Sequence, residues 1–220
     1  ERLISQDGVK FVLGAYSSGL TKAIAPVTEK YKVPHIEANG AAREFFTGQY
    51  RYLFGVLSTS DYYLRDAVTL AAEAAKEHGK DPKTIRIAMA YENDPFSLDV
   101  REGVVEAAKR YGMKIVIDDK LPPEINDMAA TLTKVKAVKP DLLLVSGHEK
   151  GATLMVRQTA EMQVDVPMMA TTHCDSAKIA ENLAQKAEGI LCGSQWDRHL
   201  SYKDRWFGTA DQYAQLFEKE

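Results

Sequence analysis

The feature that most limits how this chain can fold is a regular alternation of two hydrophobic periods. Short, β-branched apolar runs occur as VKFVLG (9–14), VPHIEA (33–38), RYLFGVLS (51–58), TIRIAMAY (84–91), MKIVIDD (113–119), PDLLLVSG (140–147), VPMMATTH (166–173) and GILCGSQW (189–196). Between them lie segments whose apolar residues recur three and four apart, at 20–32, 61–79, 97–112, 126–139, 149–163 and 175–188. The runs are too continuous for a sheet wetted on one side, so they suit strands buried on both faces. Strands alternating with helices of this length predict βαβ units and an α/β fold with mainly parallel sheets. Asp61 is placed to cap the helix over 61–79 and Gly79 to end it, and Gly112 stops the helix before it.

Two segments break the rhythm. Residues 40–55 carry only a short, imperfect helix signal before a long helix restarts, which suits a crossing from one sheet to another. At 193–208, GSQWDRHLSYKDRWFG, the alternation stops in a polar, aromatic loop. The chain opens on a charged, helix-like tail and closes on DQYAQLFEKE, an amphipathic helix with no stop signal, as a piece of something longer would.

Composition excludes several classes of function. Of the 220 residues 45% are hydrophobic and 27% charged, and the net charge is −3, which describes a water-exposed globular chain. No run of Lys and Arg offers a nucleic-acid surface, and no apolar stretch reaches the roughly 18 residues of a membrane span. The opening residues lack the apolar core of an export signal. Cys174 and Cys192 have no metal-ligand spacing; a pairing across neighbouring strands and two buried thiols both fit them.

Ligands of parallel α/β sheets bind beyond the carboxyl ends of the strands. The residues there are Tyr16, Ser17 and Ser18; Asn39, Gly40 and Ala41; Tyr91, Asp94 and Phe96; His148 and Glu149; and His173, Cys174 and Asp175. Ser17-Ser18-Gly19 opens a helix, where free N–H groups and the helix dipole form an anion seat; a serine there also serves as a simple N-cap. Neither GxxxxGK[ST] nor GxGxxG occurs, so a nucleotide cofactor is not expected. His148, His173, Cys174, Asp175 and Glu149 could assemble a metal or Cys/His nucleophilic site, yet no HExxH-like spacing supports one, and neither a metal nor catalysis is expected. Tyr16, Tyr91, Phe96 and Trp196 suit either the wall of an apolar pocket or ordinary packing.

In order and spacing, VKFVLGAYSSGLTKAIAPVTEKYKVPHIEANGA, RYLFGVLSTSDYYLRDAV, IRIAMAYENDPFSLDVREGVVEAAKRYGMKIV, PDLLLVSGHEKGATLMVRQTAEMQVDVPMMA and AEGILCGSQWDR together resemble the type I periplasmic binding proteins of the leucine/isoleucine/valine-binding family. The resemblance covers essentially the whole chain. It implies a two-lobed fold, each lobe a mainly parallel sheet flanked by helices, with 1–57 and 196–220 in lobe one and 58–195 in lobe two. It implies a periplasmic or otherwise extracytoplasmic protein that binds a small carboxylate-bearing solute between the lobes and delivers it to the membrane permease of an ABC transporter. A ligand-sensing domain of a receptor or regulator on the same fold is the alternative.

Carried over residue by residue, the resemblance puts the solute carboxylate on Ser18, flanked by the backbone of Tyr16 and Ser17. The second carboxylate loop falls on Asn39-Gly40-Ala41, without the family's hydroxyl at its third position. The second-lobe aromatics match Phe96 and His148, and the acid that would meet an α-ammonium falls near Thr172-His173. Since a buried ammonium needs a counter-charge, its absence there implies a ligand without the amine, unless Asp175 or Glu149 supplies one.

Overall fold

The computed structural model describes residues 1–123 and 125–219. The strands form two separate parallel sheets rather than one. After a single turn, α1 (Arg2–Ser5), the smaller sheet takes β1 (Val12–Leu13), β2 (His35–Glu37) and β3 (Leu53–Gly55) in the order β1-β2-β3. Helix α2 (Ser18–Tyr31) links β1 to β2, and a 3-10 turn over Arg43–Phe46 stands where the sequence showed an imperfect helix. Only Val12 and Leu13 of the run at 9–14 pair with β2, so that strand is shorter than its apolar pattern.

The larger sheet contains β4 (Arg86–Glu92), β5 (Lys114–Leu121), β6 (Leu142–Ser146), β7 (Met168–Thr172) and β8 (Ile190–Gly193), all parallel, in the order β5-β4-β6-β7-β8. Helices α3 (Arg65–Glu77) and α4 (Pro95–Tyr111) cover one face, and α5 (Ala129–Val138), α6 (Glu149–Glu161) and α7 (Ala177–Ala187) the other. The two-residue period of a strand divides β4 between them. Ile87 and Met89 pack with Val68, Val100 and Val104, while Ala88 and Ala90 pack with Leu132, Leu143 and Met155. Burial on both faces explains why these strands read as unbroken apolar runs. Beyond β8, a two-stranded antiparallel pair, β9 (Lys203–Asp204) and β10 (Gly208–Thr209), leads into α8 (Ala210–Phe217). A capping box between Thr209 and Gln212 starts α8. Glu220, the last residue of the helix expected there, lies outside the described residues.

At two of the helix starts that differ from the sequence reading, the reason is electrostatic. Asp61 does not cap α3. It is buried in a 3-10 turn over Ser60–Tyr62, with Arg43 at 3.6 Å and Arg65 at 3.5 Å, and the helix begins only at Arg65. Helix α4 begins earlier than expected, at Pro95, because the Asp94 carboxylate accepts the N–H groups of Phe96 and Ser97. The turn at 60–62 lies so close to α4 that a Cβ on Gly103 would overlap the Asp61 carbonyl.

Cys174 and Cys192 form a disulfide from the end of β7 to β8, with Cα atoms 5.5 Å apart. Among the described residues, no helix is long and apolar enough to cross a membrane.

Candidate functional site

The strand order locates the site. Strand β4 connects through α4 to β5 on one side, and the chain then returns through α5 to β6 on the other side of β4. The crevice between the carboxyl ends of β4 and β6 is therefore the switch point of the larger sheet. The β4 end supplies Glu92, Asp94 and, at the start of α4, Phe96; the β6 end supplies His148. His173 follows β7 alongside.

Tyr16, from the loop between β1 and α2 of the smaller sheet, reaches across to this crevice. Its hydroxyl lies 2.7 Å from His148 Nδ1, and its ring stands edge-on to His148 and His173 at 5.4 and 6.3 Å. Phe96 touches Tyr63, His148 and His173 at centroid distances of 5.1, 5.5 and 5.2 Å, and the two imidazoles lie 5.5 Å apart. Tyr16, Tyr63, Phe96, His148 and His173 thus form one ring cluster drawn from both halves of the chain. A cavity of about 590 Å³ opens beside Tyr16 and His148, where Ile125 and Leu154 stand with the charged side chains of Glu149, Lys150 and Arg157.

The polar groups behind the rings set the imidazole states. Asp94 Oδ1 lies 3.7 Å from His148 Nε2. Burial works against the His148 imidazolium, but Asp94 and then Glu92 outweigh it and raise its pKa above the ordinary value. Burial likewise works against the Asp94 carboxylate, yet His148 and the N–H groups of α4 hold its pKa down. Burial pushes Glu92 up against the pull of His148. His173 goes the other way: burial and the neighbouring His148 charge lower it, and its Nδ1 lies 3.0 Å from the Gly147 carbonyl. Glu92, Asp94 and His148 each offer a ligand atom within 4.8 Å of the others, a spacing that would suit a metal ion. Each already has a protein partner: the backbone N–H groups of Ile125 and His148 for Glu92, the α4 terminus for Asp94 and Tyr16 for His148.

On the smaller sheet the expected anion seats have internal roles. Ser17 is the N-cap of α2 but makes no capping hydrogen bond with its side chain. Ser18 is fully buried, and its hydroxyl accepts the Ala42 N–H at 3.1 Å. The N–H groups of Asn39 and Gly40 both donate to Glu37 Oε1 at 2.7 Å. Thr21 and the Ala15 N–H donate to its other oxygen at 2.6 and 3.3 Å. Burial opposes the Glu37 charge, but these donors outweigh it and lower its pKa. A protein carboxylate thus occupies the Asn39-Gly40 N–H groups. Ala41 is buried in the core, and Asn39 is exposed.

Of the remaining expected residues, Thr172 is buried. Its hydroxyl donates to the Gly147 carbonyl at 2.6 Å and accepts the Gly147 N–H at 3.1 Å, tying β7 to the end of β6. Asp175 accepts from the Ser194 hydroxyl at 3.2 Å. The disulfide removes Cys174 as a nucleophile or metal ligand. Tyr63, Glu37 and Glu92 were not singled out from the sequence. An acid closing an apolar strand, as in HIE and MAYE, is the signal that marks the two glutamates; Tyr63 carried none.

The comparisons agree with this architecture. A family model described as "Periplasmic binding protein" matches residues 1–217. The Leu/Ile/Val-binding protein homolog 8 of Brucella abortus is 28% identical over 161 residues, 73% of this chain and 40% of its own length. The chain thus spans well under half of that curated relative. A solute binding protein of an ABC transporter from R. palustris, solved with benzoate, superposes with a TM-score of 0.82 at 14% identity, over 99% of this chain and 57% of its own. The branched-chain amino acid transporter substrate binding protein LivJ from Streptococcus pneumoniae, solved with isoleucine, gives 0.77 at 22% identity, over 100% and 60%. The chain belongs to the periplasmic binding protein family, with the type I fold of its Leu/Ile/Val-binding members.

Proposed function

We propose that this chain is the solute-capturing part of an extracytoplasmic ABC-transport system. It closes two lobes, 1–57 with 196–220 and 58–195, around a small carboxylate-bearing solute, offers it to a membrane permease and catalyses no reaction on it. The observation that carries this reading is the ring cluster. Tyr16 arrives from the smaller sheet, and Phe96, His148 and His173 from the carboxyl edge of the larger one, so the apolar walls converge where the two sheets face each other. Hinge closure of two such lobes is how a solute becomes enclosed.

The start of α2 is the seat for the solute's carboxylate. Ser17 makes no side-chain cap, and the first N–H groups of a 14-residue helix lack intrahelical partners. Ser18, Asn39 and Gly40 support that seat from behind through Ala42 and Glu37. Relatives on this fold have been solved with isoleucine and with benzoate, which share a carboxylate on an apolar body. The disulfide between β7 and β8 suits an oxidising compartment.

A thermal-shift panel on the full chain tests the reading, setting branched-chain and aromatic amino acids beside the corresponding acids without the amine. At about 100 times its dissociation constant, a genuine solute adds about 2.7 kcal/mol of stability. The absence of a shift with every carboxylate would overturn the proposal.

A further inference from the structure

We propose that the Cys174–Cys192 disulfide is a latch that positions His173 in the ring cluster, and that its reduction by a dithiol releases this histidine. The latch holds the rings whether or not a solute is present; its effect on affinity rests on the solute-binding reading.

His173 has a backbone conformation that needs holding. Among the described residues, four non-glycine residues have positive φ. Lys32, Lys139 and Gln163 follow helix ends, where a left-handed residue is an ordinary stop. His173, at φ 55°, follows a strand instead, and such a conformation persists only where its surroundings fix it. On one side Thr172 fixes it through its two hydrogen bonds to Gly147; on the other side Cys174 fixes it through the disulfide.

The bridge also reaches the rings from both of its ends. Cys174 follows His173, whose ring lies 5.2 Å from Phe96 and 5.5 Å from His148. Cys192 precedes Gly193, which lies so close to the Tyr63 carbonyl that a Cβ would overlap it. The Tyr63 ring in turn stands 5.1 Å from Phe96 and 6.4 Å from His173. Solvent reaches the bridge, because Cys192 is exposed and lines a cavity of about 440 Å³ with Tyr63, Leu64 and Ser194.

The strands do not need the bridge to stay together. β7 and β8 pair in register from Met169 with Ile190 to Thr172 with Gly193, and the Ser194 hydroxyl donates to Asp175 beyond them. Reduction therefore frees residues 173 and 174 and leaves the sheet intact. A thiolate of the dithiol attacks Cys192 Sγ, the S–S bond breaks, and Cys174 leaves as a thiolate that takes up a proton. The second thiol of the reductant then displaces Cys192, which also ends as a thiol. The dithiol is oxidised to its own disulfide, and its two electrons and two protons pass to the protein.

NMR of the full chain without solute tests the latch, before and after dithiothreitol has released two thiols. In the oxidised chain His173 should titrate below the ordinary 6.5, because burial and His148 outweigh Asp175 and Asp94; Tyr16 and Tyr63 also face it. Reduction should shift the His173 ring signals and bring its titration toward 6.5, while the backbone signals of β7 and β8 stay in place. Cys174→Ala with Cys192→Ala should reproduce the reduced state, and reduction of the natural chain decides if that variant does not fold. Unmoved His173 signals, or a bridge that resists dithiothreitol in the folded chain, overturn the proposal. So does loss of the β7 and β8 signals, which would make the bridge a support of the sheet alone. Calorimetry with isoleucine and benzoic acid reads the consequence: a probe that binds the oxidised chain should bind the reduced one several-fold more weakly, since the site is no longer set in advance. Equal binding to both forms removes the latch from the site. Binding of neither probe counts against the solute-binding reading alone, and the His173 signals still decide the latch.

Discussion

At the scale of single residues, the site is governed by which groups are already satisfied inside the protein. Ser18 is the clearest case. Its position at a strand-to-helix junction fits a ligand serine, but its hydroxyl is buried on the Ala42 N–H. Ser18→Ala should lower stability by about 1–3 kcal/mol without solute, because a buried donor loses its acceptor. Urea denaturation measures this; unchanged stability with weakened solute binding would return the hydroxyl to the solute. Phe96, for which a pocket wall and ordinary packing both fit the sequence, is 3% exposed and packs in the core as well as against the histidines. A truncation there would thus lose folding stability and binding together.

His148 carries a pH dependence whose sign follows from its raised pKa. The folded protein holds this proton more tightly than the unfolded chain does. The stabilisation is thus fully present below the ordinary histidine value of 6.5 and is lost as pH rises through the folded value. Asp94, Glu92, Tyr16 and His173 all face the imidazole, and His173, with its lowered pKa, contributes in the opposite sense. The informative quantity is therefore a difference. The melting-temperature gap between the natural protein and His148→Gln should narrow from about pH 5 to about pH 9; a gap that widens over that range would remove Asp94 as the partner of a charged His148.

At the scale of elements, close approaches and caps decide where helices begin and sit. Asp94 and Pro95 mark the start of α4 in the sequence, an acid followed by proline at the first helical position. The late start of α3 leaves no such mark, because Asp61 is drawn away by Arg43 from outside its own segment. Gly103 is the element-level constraint with the sharpest consequence. Any Cβ there meets the Asp61 carbonyl, so α4 or the 60–62 turn must shift. Gly103→Ala should cost about 1–3 kcal/mol, the range for overpacking. A melting temperature equal to that of the natural protein would show that this turn yields freely.

At the scale of the whole molecule, the two sheets are joined by charge as well as by chain. Arg43, in the segment between β2 and β3, reaches Asp61, Asp99 and Glu106 at 3.6, 3.4 and 3.2 Å, and its own N–H donates to Asp99. Asp61 is nearly fully buried while Arg43 remains partly exposed, so removal of the arginine should cost about 1–2 kcal/mol, below the figure for a fully buried pair. Arg43→Lys should recover little of this, since one ammonium cannot span three carboxylates as a planar guanidinium does. Denaturation of Arg43→Ala and Arg43→Lys checks both statements; full recovery in the lysine variant would reduce the network to simple charge.

The sequence by itself determined that this is an α/β chain with parallel strands, because hydrophobic period is a local property. Burial on both faces holds for β4 and β6, whereas Phe11, Leu13 and Phe54, in and beside the smaller sheet, are exposed, against the reading of the run at 9–14. The sequence also marked the strand ends from which Tyr16, Phe96, His148 and His173 come, since the side of a parallel sheet that binds ligands follows from the order of strand and helix. What only the tertiary structure decided is which of those ends meet. Strand order places β4 beside β6 and makes their ends a crevice, a pairing between segments more than fifty residues apart that no local period encodes. Tyr63 joins the rings through a turn with no signal of its own, and Glu37 takes up the N–H groups of Asn39 and Gly40 because a buried carboxylate must find donors wherever the fold brings them. Whether a polar group at a strand end serves a solute or the protein depends on its partners in space, and those partners come from elsewhere in the chain.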